Sequence, residues 1–445
     1  MFFVAASAFL AYVCTVDRNR PREAVVRGRR RTGSSRLLGT NGKRAVLLFL
    51  CIAAATVGLA ASAPSAGSAV NTAGVSPAGS VYAWFDDDAG QLGIGVVGPQ
   101  YSTLVPVATK MPAGVSSVAV ASGQSHSLAV TSTGGVYAWG FNGSGQLGNG
   151  GTANQSVPVK VAVPSGVKVT AVAAGWDQSL ALTSTGAVLA WGLNSHGELG
   201  NGSLKNSRVP VGVMLPAGVK VVAIAAGQYH SLAVSSTGTV YAWGDNLYGQ
   251  LGDGNTANSS VPVQVSLPVG VLATAVGAGD NHSLVVTSTG RVYAWGRNDF
   301  GQLGDGSTIQ RDAPVAVRLP AGVVATKVVA GGVSPTATHP ESDYSVALTA
   351  AGGVYAWGGN THGQLGNGSK TGSVLPVLTQ LPPGIRAVAV GAASNWARLL
   401  ASDGQIYIWG KQGYLTPTLT KLPAGLLATG ISTGADGEQM LATLS

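Results

Sequence analysis

The chain has 445 residues, a formal net charge of +8, 65 glycines, two cysteines and only 10% charged residues. Glycine stands at about twice its usual ~7% and charge far below its usual ~25%, with four Glu in all, which excludes a coiled coil or an ordinary helical bundle. An apolar content of 45% excludes charge-driven disorder, and the length alone would predict about three domains.

The charge is confined to the front. Residues 1–63 carry ten Lys or Arg against Asp17 and Glu23, so the remainder is neutral, with sixteen basic and sixteen acidic residues. Cys14 and Cys51 also lie there. After the basic stretch comes an uncharged run, Ala45–Ala61, and then Ser62, Ala63, Pro64 and Ser65. A basic flank, an apolar run and a small-residue exit predict a secretory signal. The run also reaches the lower edge of a membrane span, so an uncleaved anchor at 45–61 is the alternative. Either reading exports the rest of the chain, to the medium or the cell surface, and leaves the basic flank inside. Met1–Val16 is apolar with no basic residue before it; it is read as a mis-assigned start, with initiation near Val25 or Val26, or else as a first span. Residues 64–80 read as a flexible linker of Ala, Ser and Gly.

From residue 81 onward a repeat sets the architecture. Trp recurs at Trp84, Trp139, Trp191, Trp243, Trp295, Trp357 and Trp409, mostly as VYAWG, at spacings of 55, 52, 52, 52, 62 and 52. Each unit has four short Ala- and Val-rich segments split by Gly, Pro and Asn turns, which read as four strands. Seven such units predict an all-β, seven-bladed propeller spanning 81–445 as a single domain. Val81–Phe85 has no strand of its own before it, while the last unit, from Gly434, ends on a strand with no VYAWG after it. The two ends therefore complete one blade and close the ring, which removes its exposed edges.

The unit Gly123–Gly150, GQSHSLAVTSTGGVYAWGFNGSGQLGNG, carries G-x-x-H-S-L, G-x-V-Y-A-W-G and N-x-x-G-Q-L-G-x-G, followed by V-P-V. These elements recur over about 80% of the chain and resemble the regulator of chromosome condensation repeat family, here in a secreted, bacterial-type form. The resemblance implies a seven-bladed propeller without a catalytic constellation of its own. Its founding member is a chromatin-bound guanine-nucleotide exchange factor for a nuclear small GTPase, and a secreted bacterial relative inhibits a β-lactamase. Such a range leaves function open.

A repeat supplies its own control: what recurs in phase serves the blade, and what breaks the pattern is free for function. The seven Trp are therefore read as core. His126, His230 and His282 recur in G-x-x-H-S and are read as strand ties rather than catalytic residues, since three equivalent histidines do not make three active sites. Asp86-Asp87-Asp88 lacks the alternation of a calcium loop and is read as solvated.

In an up-and-down blade, loops one and three open on one face. Loops two and four (S-T-G and L-P-A-G) hardly vary; loops one and three vary strongly. Loop one holds Trp176, Tyr229 and Trp396, and a ten-residue insertion with His339, Glu341, Asp343 and Tyr344. Loop three holds His196, Tyr248, Phe300 and His362, each just before a Gly. Exposed aromatics without Lys or Glu clusters predict a protein-binding face. The seventh blade has GKQGYLTP in place of the G-Q-L-G loop, which leaves a gap on that face.

The leading expectation is an exported, monomeric, non-catalytic module that binds an extracellular or envelope protein, with a glycan as the lesser choice. It needs no cofactor or metal, binds no nucleic acid, and meets the membrane only through its N-terminal segment. An enzyme of hydrolase or lyase type would need converging carboxylates; Glu341 and Asp343 are the nearest pair. Nucleotide exchange would require a cytosolic protein.

Overall fold

The computed structural model describes residues 79–332, 343–432 and 439–445, all within a compact unit from Asn71 to Ser445. The signal or anchor run at 45–61, the basic stretch, His339 and Glu341 lie outside the described residues.

The unit is a seven-bladed ring, each blade a four-stranded antiparallel sheet. Blade 3 shows how the sequence makes one. Its strands are Val169–Ala174, Gln178–Thr183, Val188–Gly192 and Ser207–Gly212. The second and third pair from Gln178 with Gly192 to Leu182 with Val188. The T-S-T-G turn between them is closed by Thr183 Oγ1, which accepts the Ala187 N–H at 3.0 Å. Second strands are buried along their whole length, whereas fourth strands are half exposed. The outermost strands of blades 1 to 6 carry Pro106, Pro158, Pro210, Pro262, Pro314 and Pro376, each within a shift of register against the third strand. Proline cannot donate to a ladder, so it is tolerated on an edge strand and blocks further pairing there.

The ring closes through blade 1, built from Ala428–Ile431, Gln439–Leu444, Ser80–Phe85 and Thr103–Ala108. The termini pair in unbroken register from Ser80 with Leu444 to Phe85 with Gln439. One ring thus replaces the three domains that length alone predicts, because no single blade buries both of its faces.

The core lies between blades. Seven apolar clusters each join a blade to the next one's Trp: Leu180, Leu182 and Val188 of blade 3 pack with Trp243 of blade 4, for example. All seven Trp are fully buried. Six of them donate Nε1–H to the carbonyl of the G-Q-L-G glutamine (glutamate in blade 3) one blade upstream, Trp139 to Gln91 through Trp409 to Gln364, each at 2.8 Å. Gly148 shows why that loop needs its second glycine: at φ +62°, a Cβ there would stand 2.7 Å from Trp191 Nε1. Trp84 is the exception. The upstream seventh blade turns through Lys411–Gly413 instead of G-Q-L-G, and Trp84 Nε1 has no hydrogen-bond partner among the described residues.

A second belt of polar ties crosses all seven interfaces, from the start of each second strand. His126 Nε2 lies 3.0 Å from Ser179 Oγ, and His230 and His282 Nε2 lie 2.9 Å from Ser283 and Ser345 Oγ. Gln178 donates to the Gly227 carbonyl at 2.8 Å, and Gln439 to the His126 carbonyl at 2.8 Å. Tyr344 donates its hydroxyl to the Trp396 carbonyl. In blade 7, where Trp396 holds the histidine position, Arg398 takes over the tie and donates to the Ser432 carbonyl at 2.9 Å.

Candidate protein-binding face

Loops one and three meet across blade boundaries. Gln146 Nε2 of a third loop donates to Asp177 Oδ1 of the next blade's first loop at 2.6 Å, and Gln302 Nε2 likewise to Asp343 Oδ2 at 3.2 Å. The third loops of blades 2 to 6 are each folded by an asparagine: Asn194 Oδ1 accepts the Leu199 N–H at 2.9 Å while its Nδ2 donates to the Ser203 and Lys205 carbonyls. This rigid frame sets the positions of the side chains that break the pattern.

The aromatic residues gather over blades 3 to 5. Trp176 and Tyr229 lie with ring centroids 5.1 Å apart, and His196 lies 5.0 Å from Tyr229. His196 is held by Glu198, whose Oε1 lies 3.2 Å from His196 Nδ1 and whose Oε2 accepts the His196 N–H. Next to this cluster, the Arg297 guanidinium lies 5.1 Å from the Tyr248 ring centre and 5.7 Å from that of Phe300, and pairs with Asp299 at 2.6 Å. Between the two groups opens a cavity of about 470 Å³, lined by His196, Tyr229, Asp245, Leu247, Tyr248 and Arg297 among others. Leu247 is 65% exposed at its rim. Half-buried aromatics, a stacked Arg and an exposed Leu match the make-up of protein-binding anchors. Arg297 and Leu247 went unmarked in the sequence, although both occupy third-loop positions whose residue type changes from blade to blade.

Four expectations need correction. Trp396 does not sit on the rim: it is fully buried, edge-on to Phe85 at 4.8 Å. It stands immediately before the second strand, Ala397–Ala401, in the phase of His126, where side chains point between blades. Tyr344, also fully buried, occupies that same phase in blade 6 and accepts the Ala393 N–H at 3.2 Å. Asp343 is buried beneath the face; burial, and next the charge of Asp280, hold its carboxyl well above the usual carboxylate range, with Arg297 opposing. Asp280 is itself buried, so this pair is closed to substrate, and Glu341, the partner considered for Asp343, lies outside the described residues. The Asp86–Asp88 segment is not wholly solvated either, since Asp87 is fully buried and accepts the Leu92 N–H at 2.9 Å. His362 is half-buried on blade 6, with Nδ1 3.1 Å from Thr361 Oγ1, away from the aromatic cluster of blades 3 to 5.

The histidine–serine pairs have the wrong polarity for catalysis. Ser179, Ser283 and Ser345 donate their hydroxyl protons to the Gln146, Gln250 and Gln302 carbonyls at 2.7–2.9 Å. Each serine oxygen therefore accepts from histidine Nε2–H, the reverse of a base activating a nucleophile. Burial lowers the pKa of all three imidazoles to about 3, so they stay neutral. Among the described residues no group of three His, Cys, Asp or Glu is placed to hold a metal, and no helix is long and apolar enough to cross a membrane.

A family model described as an RCC1-like domain matches residues 41–393. The chain belongs to the RCC1-like domain family. It is 34% identical over 315 residues to the ultraviolet-B receptor UVR8 of Arabidopsis thaliana, covering 71% of this chain and 67% of that protein. It is 33% identical over 333 residues to the E3 ubiquitin-protein ligase HERC2 of Homo sapiens, covering 74% of this chain but only 7% of that much longer one. Among solved structures, Prp20p from Saccharomyces cerevisiae, described with its binding properties to Gsp1p and histones, superposes with a TM-score of 0.68 at 25% identity, covering 83% of this chain and 92% of that one. Human WBSCR16 gives 0.69 at 23% identity, covering 82% and 98%, a likeness of fold alone. The RCC1-like frame accounts for the recurring Trp, His and G-Q-L-G elements; the aromatic cluster of blades 3 to 5 is built from residues that differ between this chain's own blades.

Proposed function

We propose that this RCC1-like propeller is a non-catalytic binding module that takes a protein partner on the loop face of blades 3 to 5, and that it works outside the cytoplasm, released or tethered by residues 45–61. The observation that carries the reading is the Trp176–Tyr229–His196 cluster beside the cavity of Arg297 and Leu247. A half-buried aromatic cluster with a neighbouring cavity offers large contact area at low entropy cost, and the Arg297 guanidinium adds directed hydrogen bonds beside it. Export rests on the basic-then-apolar order of the first 63 residues.

The test is a comparison of two variants of the full chain as bait in culture supernatant and envelope extract. A Trp176→Ala, Tyr229→Ala, Arg297→Ala variant should lose at least tenfold of any partner captured by the native protein. Val269→Ser, at a fully exposed fourth-loop site on the other face, should lose none. Equal capture by the triple variant refutes the face. N-terminal sequencing of the native protein addresses export: a terminus near residues 62–66, or an intact chain in the envelope, supports it. A second reading, guanine-nucleotide exchange on a small GTPase, follows from the family's founding member and would be favoured by an uncleaved chain in the cytosol.

A further inference from the structure

The first strands of the blades surround the axis of the ring, and blades 3 to 6 bound a cavity of about 370 Å³ there. Its walls are almost wholly small and apolar, including Ala171, Ala223, Ala275, Val276 and Val328. The repeat shows which wall residue is anomalous. The third position of the first strand is Ala119, Ala171, Ala223 and Ala275 in blades 2 to 5, Ala389 in blade 7 and Gly430 in blade 1. In blade 6 it is Lys327. All seven are partly exposed, as wall residues of a channel must be.

Lys327 has no structural partner to explain it. It forms no ion pair or side-chain hydrogen bond among the described residues, and it is the only charged residue in the lining. Enclosure in the channel wall, and next the charge of a second cation, Arg398, lower the lysine's pKa. Arg398 is fully buried, pairs with no carboxylate among the described residues, and its Nη1 has no partner. A buried charge is ordinarily compensated; Arg398 and the channel-facing Lys327 have no carboxylate partner among the described residues. An alanine at the same position folds in five other blades, so the lysine is not required by the sheet.

We propose that the axial channel binds a small organic carboxylate, its anionic end on the Lys327 ammonium and its apolar body against the alanine and valine walls. A single ammonium in an apolar enclosure favours a monoanion that carries its own hydrophobic surface over a multiply charged, strongly hydrated anion.

The experiment is calorimetric titration of the full chain with benzoate, hexanoate and inorganic phosphate, repeated on Lys327→Ala and Lys327→Met. At least one of the two carboxylates should bind the native chain and bind both variants at least tenfold more weakly, with phosphate bound more weakly than either. The alanine variant restores the residue of the neighbouring blades, so its melting temperature should not fall; the methionine variant keeps the side-chain bulk and removes the charge. The proposal is overturned if neither carboxylate binds, if Lys327→Met binds them as the native chain does, or if phosphate binds more tightly.

Discussion

Asp87 gives the sharpest test of how the repeat sequence is matched to its frame. Blades 2 to 6 have Asn142, Asn194, Asn246, Asn298 and Asn360 at this point, and each uses its amide N–H to hold loop carbonyls, as Asn360 Nδ2 does with Ser369 and Thr371. An ionised Asp87 has no hydrogen to give, and its Oδ2 is buried without a partner among the described residues. Burial raises its pKa to about 6, against the Leu92 N–H and with a small push from Asp88. In the unfolded chain the carboxyl titrates near ~3.9. The folded state therefore holds the extra proton between about pH 4 and pH 6. Its contribution to stability is complete below about pH 4 and lost as pH rises through 6. A separation of about two pH units corresponds to about 3 kcal/mol at ~1.36 kcal/mol each; the loop lies near solvent, and screening reduces this to about 1–2 kcal/mol. Asp87→Asn supplies a neutral donor and should raise the melting temperature at pH 7.5 by about 1–3 °C, taking ~2.1 cal/mol/K per residue over the propeller. Tryptophan-fluorescence melts from pH 4 to pH 8 at constant ionic strength read this directly, and the gain should vanish near pH 4. A variant no more stable at pH 7.5, or a difference unchanged between pH 4 and pH 7.5, would refute the reasoning.

Three further outcomes rest on the ties between blades and on the face. Phe85 stands at φ +78° where other blades have glycine, such as Gly244, whose Cβ would run into the Tyr229 carbonyl. Phe85→Gly relieves about 1 kcal/mol of backbone strain but removes a buried ring worth about 3–5 kcal/mol, so denaturant unfolding should show a net loss of about 2–4 kcal/mol. The buried histidines have pKa values lowered to about 3, so their contribution is present above about pH 6.5 and lost as pH falls toward 3. Replacing His126, His230 and His282 by Gln, the residue already serving at Gln178, should flatten the acid limb by up to about 4 kcal/mol per pH unit, three protons at ~1.36 kcal/mol each. Trp176→Ala with Tyr229→Ala should shift the melting temperature by less than about 2 °C, since both rings are only half-buried; a larger fall in thermal melts would show that they hold the blades rather than face a partner.

Much of the fold was legible because a repeat fixes phase. The Trp spacing gave the number of blades, and the unmatched first and last strands gave the closure. The same phase, applied one step further, separates Trp176 from Trp396. Trp176 follows its glycine directly, in the loop, whereas Trp396 stands three residues after Ala393, in the position of His126, where the second strand begins. Residue type and loop membership made the two Trp look alike, but strand phase sends one outward and one between blades. Asp87 has the same lesson: three consecutive acids look solvated until the middle one is aligned with the loop asparagine.

By itself the sequence determined the seven-fold period, the closure of the ring and the neutrality of the propeller, because these depend on local propensity and on spacing along the chain. Only the tertiary structure decided which deviations from the repeat meet. Trp176, Tyr229 and His196 come from two blades, and Arg297, Tyr248 and Phe300 from two more loops. Lys327 became meaningful once six first strands were seen to put alanine or glycine around the same axis. Contacts across blade boundaries depend on how neighbouring sheets are rotated and packed, which no single repeat encodes.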